Sequence, residues 1–170
     1  MKKQYERNRS TIAKFTLITL VLFSSACLGF GQGYEQWSKN IGGSDTVRFE
    51  TVQETTDGGF VAVGTIEAFG QDYNDLYVVK TDSSGNVEWE KHHGGELDEA
   101  AFSVALTKDG GYIIAGDTKS SGAGINDLWI LKTDSAGEMD WEQIFGGPKA
   151  ESANSILALE DGGYIIVGYT

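Results

Sequence analysis

Residues 108–118 read KDGGYIIAGDT, and near-copies stand at equal distances on both sides, TDGGFVAVGT at 56–65 and EDGGYIIVGYT at 160–170. The anchors Asp57, Asp109 and Asp161 are 52 residues apart, and each is followed by Gly-Gly-aromatic: Gly58-Gly59, Gly110-Gly111 and Gly162-Gly163. The same interval separates Trp37, Trp89 and Trp141, and the pairs Gly42-Gly43, Gly94-Gly95 and Gly146-Gly147. Asn74-Asp75-Leu76 returns as Asn126-Asp127-Leu128, and Lys80-Thr81-Asp82-Ser83 returns as Lys132-Thr133-Asp134-Ser135. Self-similarity at a fixed period of this length marks a repeat architecture, in which copies bury one another's apolar faces.

Each copy reads as four strands. In the second copy 101–107 meets 112–118 through Asp109-Gly110, a dipeptide suited to the positive φ angles of a tight hairpin. Residues 127–133 then meet 138–145 through Asp134-Ser135-Ala136-Gly137, again with turn chemistry. The second and third strands (YIIAG and LWIL) are apolar without alternation, as strands covered on both faces are. The first presents Ala101, Ser103 and Ala105, small residues expected on one side at a crowded axis. The fourth is the most charged, as an outer edge is. These gradients predict an all-β chain: a β-propeller whose 52-residue blades are four-stranded antiparallel sheets stacked face to face. The alternative is a parallel β-helix, which has shorter coils and no need of the hairpins.

The composite W-x-x-x-x-G-G, D-G-G-[FY]-x-x-x-G and N-D-L-[YW]-[VIL]-[VL]-K-T-D-S-x-G-x-x-x-W resembles the DGGY-type β-propeller repeat of secreted bacterial proteins, a relative of the SBBP and delta-60 repeats. The match spans residues 34–170. The resemblance implies a propeller scaffold and export; it brings no activity and no catalytic residues. KTDSSGNVEW is also similar to the tryptophan-docking turn of quinoprotein dehydrogenase propellers. The first copy departs from the pattern with Glu50 and Glu54 where the second has Phe102 and Leu106, which predicts a looser first strand there.

The N-terminus has the layout of a secretory signal peptide, with a basic stretch to Lys14, an apolar run from Phe15 to Phe30 and the small-x-small Gly29-Phe30-Gly31. The run is shorter than the roughly 20 residues of a spanning helix. A signal-peptide helix over residues 1–31, with cleavage before Gln32, is therefore expected. The alternative makes Cys27, the only cysteine, the acylated residue of a lipoprotein, although the usual Leu three positions earlier is missing. Only that reading places the protein on a membrane. Removing five basic and one acidic residue with the leader moves the net charge from -12 to -16. So acidic a surface repels phosphate backbones, which excludes nucleic acid as a partner.

The expected organisation is an outer strand of an absent blade at 34–43, blades at 44–95 and 96–147, and the first half of a further blade at 148–170. That is about two and a half blades in 139 residues, whereas rings close with about four to eight blades. A part of a propeller with uncovered apolar ends is the consequence, and such ends favour aggregation or oligomerisation.

Asp82, Ser84, Asn86 and Glu88 have the alternate spacing of a calcium loop, but the second copy replaces Ser84 by Ala136, which favours an Asx-stabilised turn. His92 and His93 are adjacent on an outer strand, so they point to opposite faces and read as a surface pair rather than a chelate. Asp75 and Asp127 precede the third strand; they could line a binding face, and backbone N–H acceptance at the loop exit is the simpler role. Trp37, Trp89 and Trp141 could stack on sugars, but their recurrence in every copy favours packing between copies. No catalytic set and no cofactor signature is found. Two function classes remain: a secreted, non-enzymatic scaffold contacting protein or glycan, and a fragment of a polysaccharide-active or quinone-dependent propeller enzyme.

Overall fold

A computed structural model describes residues 38–67 and 70–170 as strand, turn and loop. The leader, Cys27 and Trp37 lie outside the described residues. The strands are β1 (Thr46–Glu54), β2 (Phe60–Glu67), β3 (Asp75–Thr81), β4 (Val87–His93), β5 (Glu99–Leu106), β6 (Tyr112–Thr118), β7 (Asp127–Thr133), β8 (Met139–Phe145), β9 (Ser152–Ala158) and β10 (Tyr164–Tyr169). They form antiparallel sheets in chain order, β1–β4, β5–β8 and the pair β9–β10. The four segments expected in the second copy are thus one sheet in the expected order.

Every hairpin between first and second strands has the same turn. Gly110 N–H donates to Thr107 O at 3.0 Å and Thr107 N–H to Gly111 O at 3.0 Å. Lys108 and Asp109 are therefore the central turn residues, and Gly110 follows at φ 84°. This is the three-residue hairpin with a left-handed glycine, and Gly110 supplies the positive φ expected of the Asp109-Gly110 pair.

The sheets stack face to face. Val61, Val63, Leu76 and Val78 of the first sheet share one core with Val104, Tyr112, Ile114, Trp129 and Leu131 of the second. The opposite face of the second sheet, with Ala105, Ile113, Ala115 and Ile130, meets Ala153 and Ile156 of the third. Strands β3, β6 and β7 are buried almost throughout, while β4 and β8 are largely exposed, as their composition predicted.

Among the described strands five β-bulges interrupt this regularity, two in the fourth strands at Glu88 and Asp140 and three in the first strands at Glu50, Phe102 and Asn154, where the register skips. A bulge shifts the alternation of faces. Ala101 therefore faces the first sheet with Val104, whereas Ser103 and Ala105 face the third; Ser103 Oγ accepts the Ile156 N–H at 3.1 Å. The expectation that Ala101, Ser103 and Ala105 share one side is thus corrected. The bulge also explains Glu50: the extra residue is exposed and pairs with Arg48 (Nε to Oε1, 2.7 Å). β1 nevertheless pairs with β2 from Thr46 to Glu54, so its ladder is not loosened.

The last glycine of the D-G-G-[FY]-x-x-x-G motif belongs to the same device. A Cβ on Gly64, Gly116 or Gly168 would overlap the carbonyl oxygen of Arg48, Ala100 or Ser152 on the neighbouring strand. The segment expected as an outer strand at 34–43 is described only from residue 38, and 38–43 is not strand. Its repeat equivalent β4 is held by the ladder to β3, and no described strand offers residues 38–43 such a ladder.

Candidate functional site

The recurring polar residues gather at two kinds of place. The first is a lysine lock inside each four-stranded sheet. Lys80 and Lys132 stand in the third strand with side chains only 5% and 4% exposed. Lys80 Nζ donates to Thr81 O (3.0 Å), Asp57 Oδ2 (2.9 Å) and Glu88 Oε2 (2.7 Å). Lys132 Nζ repeats this with Thr133 O (2.8 Å), Asp109 Oδ2 (2.9 Å) and Asp140 Oδ2 (3.3 Å). The hairpin aspartate is thus tied across two strands. Its other oxygen accepts the hydroxyl of Thr55 or Thr107 and the N–H of Gly59 or Gly111. These bonds, the threonine's first and the lysine's next, hold the Asp57 and Asp109 carboxyls far below the usual carboxylate range. Asp161 keeps the turn bond from Gly163 N–H at 3.0 Å, but Leu159 stands where Thr107 would be. Gly59 and Gly111 sit so close to Thr81 O and Thr133 O that no Cβ fits.

The second place is the junction between successive sheets. Asn74 O accepts the Glu99 N–H at 2.7 Å, and Asn126 O the Glu151 N–H at 2.9 Å, so the Asn-Asp-Leu motif receives the next copy's first strand. Asp75 and Glu99 flank Gly94, and Asp127 and Glu151 flank Gly146; a Cβ on either glycine would overlap the aspartate. Glu99 is buried, accepting Thr118 Oγ1 at 2.7 Å, Gly95 N–H at 2.8 Å and Ser120 N–H at 3.1 Å. Asp127 accepts the loop-exit N–H groups of Ala123 (3.3 Å) and Gly124 (3.0 Å), the role expected for it. Asp75 instead faces His92, Nδ1 to Oδ2 at 3.4 Å. Burial raises the Asp75 pKa, against the pull of His92. Asp117 is likewise raised by burial, despite hydrogen bonds from Ser152 and Asn126.

The residues of the calcium-like spacing do not converge as a ligand set: Asn86 Nδ2 donates to Asp82 Oδ2 at 2.9 Å. Asp82 Oδ1 accepts Ser84 N–H and Asn86 N–H, both at 2.8 Å, while Glu88 turns to Lys80. Asp134 makes the same Asx turn with Ala136 and Glu138. Among the described residues no group of three or more His, Cys, Asp or Glu is arranged to hold a metal ion. Trp89 lies against Tyr112 of the next sheet (centroids 5.9 Å), and Trp141 against Tyr164 (6.2 Å). These rings pack between copies.

One recess breaks the repeat. Between the first two sheets a cleft of about 330 Å³ is lined by His92, His93, Glu99, Thr118, Trp129 and Glu142, among others. The next junction has a recess with Gly146, Glu151 and Thr170, but Phe145 stands where His93 does. His92 is 64% exposed, whereas His93 is not the surface residue expected: its Nε2 is buried without a hydrogen-bond partner among the described residues. Facing the second sheet, it pairs with Leu76, whose side is core. Burial pushes its pKa down, against a hydrogen bond with the Gly137 backbone and the charge of Glu138. The lysine lock and the junction glutamates were not recognised in sequence, although Lys80/Lys132 and Glu99/Glu151 share the 52-residue interval. Compared with known protein families and with characterised proteins, the chain matches none.

Proposed function

We propose that the chain is part of a β-propeller of the DGGY-repeat type, exported by the leader of residues 1–31, and that it acts as a non-enzymatic scaffold for contact with a protein or a glycan. The observation that carries this reading is how the repeated polar side chains are used. Asp57, Asp109, Lys80, Lys132, Glu99 and Asp127 all close turns, sheets or junctions. Groups so occupied hold a framework and are not free for chemistry. The positions that differ between copies then carry recognition, foremost His93 in its cleft, whose Nε2 has no hydrogen-bond partner among the described residues and suits a ligand hydroxyl.

Two measurements test this. Mass spectrometry of the exported protein should find Gln32 as its first residue; a lipid on Cys27 would instead make it a membrane-anchored protein. Screening the exported protein against soluble oligosaccharides and peptides should yield a ligand lost on His93→Phe with the fold unchanged. Turnover of a bound polysaccharide would replace the scaffold reading with an enzymatic one.

A further inference from the structure

Two departures from the repeat meet at the first junction. His93 stands where the other copies have Ile41 and Phe145, and Met139 stands where the first copy has Val87. Met139 is the only methionine besides Met1. Hydrocarbon side chains serve the framework at both positions elsewhere in the chain, so neither the imidazole nor the thioether is there for packing alone.

The register turns the two side chains into one gap. His93 pairs with Leu76, which lies in the core shared with the second sheet, so His93 faces that sheet. Met139 pairs with Thr133, past the bulge at Asp140, and Thr133 shares a side of its strand with Leu131, a member of the same core. Met139 therefore faces the first sheet. Strand β4 crosses the start of β8 at Lys91 and Glu138, Nζ to Oε1 at 2.6 Å, and His93 follows two residues after Lys91, beside the Gly137 backbone. Both side chains line the single cleft of about 330 Å³.

The other polar groups there are committed. Glu99 accepts from Thr118, Gly95 and Ser120, and Glu142 Oε2 accepts the Trp129 Nε1–H at 2.7 Å. His93 Nε2 has no hydrogen-bond partner among the described residues, and Met139 is 52% exposed. One imidazole nitrogen and one thioether are too few for zinc, which takes four ligands, and supply none of the oxygens that calcium or magnesium needs. They fit a soft monovalent ion, for which thioether sulfur is a preferred donor.

We infer that His93 Nε2 and Met139 Sδ bind a soft monovalent metal ion, copper(I) or its analogue silver(I), across the junction of the first two sheets. Such an ion ties β4 to β8, between sheets, as the lysine lock ties strands within one. It does not rest on the scaffold reading: the ion and a ligand hydroxyl compete for the same nitrogen, and neither requires the other.

The test titrates silver(I) in chloride-free buffer into the exported protein and counts bound ions by native mass spectrometry, while X-ray absorption at the silver edge reads the donor atoms. Expected are one ion per chain with one sulfur and one nitrogen neighbour, held in the presence of excess zinc(II). Met139→Val and His93→Phe copy the residues that the repeat itself places there, and each should lose the ion. Circular dichroism matched to the parent shows that they fold, and Met139→Leu substitutes for Met139→Val where it does not. His92→Asn, which copies Asn40 and lies on the opposite face of the strand, should bind as the parent does. A parent that holds no ion overturns the inference and leaves the hydroxyl ligand of the scaffold reading untouched. Silver retained by Met139→Val overturns it too, in favour of imidazole alone or the thiol of Cys27. So does silver lost from His92→Asn or displaced by zinc, either of which places the ion on exposed imidazole.

Discussion

Replacing Lys132 by Met keeps the stem that fills the sheet and removes the ammonium. Three bonds disappear, to Thr133 O, Asp109 Oδ2 and Asp140 Oδ2. Were all partners buried, breaking such a pair would cost about 3–5 kcal/mol. Here Asp109 and Asp140 are 62% and 46% exposed, so water takes up much of what they lose. The acceptor left behind is Thr133 O, in a residue with no exposed surface. A lost charged hydrogen bond and a stranded buried carbonyl together cost about 2–3 kcal/mol. For a domain of this size that lowers Tm by about 5–15 °C. Chemical denaturation of Lys132→Met, Asp109→Asn and the double variant measures the coupling, expected at about 1–2 kcal/mol.

The pH dependence of this loss follows from the two partners. Hydrogen bonds from Thr107 and Lys132 lower the Asp109 pKa in the fold, so its contribution is present above the unfolded value and fades as pH falls through the lowered one. Burial works against the Lys132 charge, but Asp109 and Asp140 outweigh it and raise its pKa. Its contribution is full below the unfolded lysine value and lost as pH rises through the raised one. The penalty of Lys132→Met should therefore be flat between about pH 4 and pH 10 and shrink in stronger acid. A Met variant as stable as the parent would refute the lock as a source of stability and leave it a device for fixing register.

Gly116→Ala sets a Cβ against the Ala100 carbonyl at the bulge and should cost about 3 kcal/mol or more. Gly147→Ala, with only Glu151 Oε1 at 3.9 Å, should be near neutral, and equal midpoints for the two in urea would contradict the bulge argument. His93 is neutral in the fold with a lowered pKa, so the protein loses stability as pH falls below about 6.5, towards the lowered folded value. His93→Phe, copying Phe145, should remove that slope and add about 1 kcal/mol by deleting the unpaired Nε2; a slope unchanged in thermal scans would show that another group carries it. Asp117 has a raised pKa, so its ionisation weakens the fold as pH climbs through that value. Asp117→Asn should hold or raise Tm at neutral pH, and a loss above about 1 kcal/mol there would show the charge to be needed.

Strand order and stacking were legible because two signals coincide, period-2 or fully apolar runs and glycine turns at a common interval. The faces of β5 were not. A bulge needs only one extra residue, and Glu50, Phe102 and Asn154 have no chemistry in common that marks it. The trace it leaves is Gly64, Gly116 and Gly168 on the partner strand, glycines whose need is a neighbouring carbonyl rather than a positive φ. The lysine lock was hidden for another reason. A lysine in an apolar strand reads as a surface residue unless its two acids, 23 residues before it and 8 after, are counted together. His93 was misplaced because strand alternation shows that neighbours differ in face but not which face is covered.

A site that recurs in every copy and a site that does one job make opposite demands on sequence. The lock, the junction glutamates and the close-packed glycines recur because each sheet has the same backbone groups to satisfy and the same neighbour to receive. Changing one of them in one copy damages that copy's packing, whatever the protein binds. Recognition has to be written where the framework is indifferent. Apart from the lock acids Glu88 and Asp140 and the packing rings Trp89 and Trp141, the fourth strand meets that condition, since β4 and β8 are exposed along most of their length. His92-His93 against Ile144-Phe145 is a change on that strand that reaches a cleft between sheets. It puts a buried, unpaired ring nitrogen where the next copy has a phenyl ring, a cost in stability that packing alone would remove. Retaining that cost makes sense for a group that a ligand completes, so a bound ligand should raise the unfolding midpoint of the parent and leave that of His93→Phe unchanged.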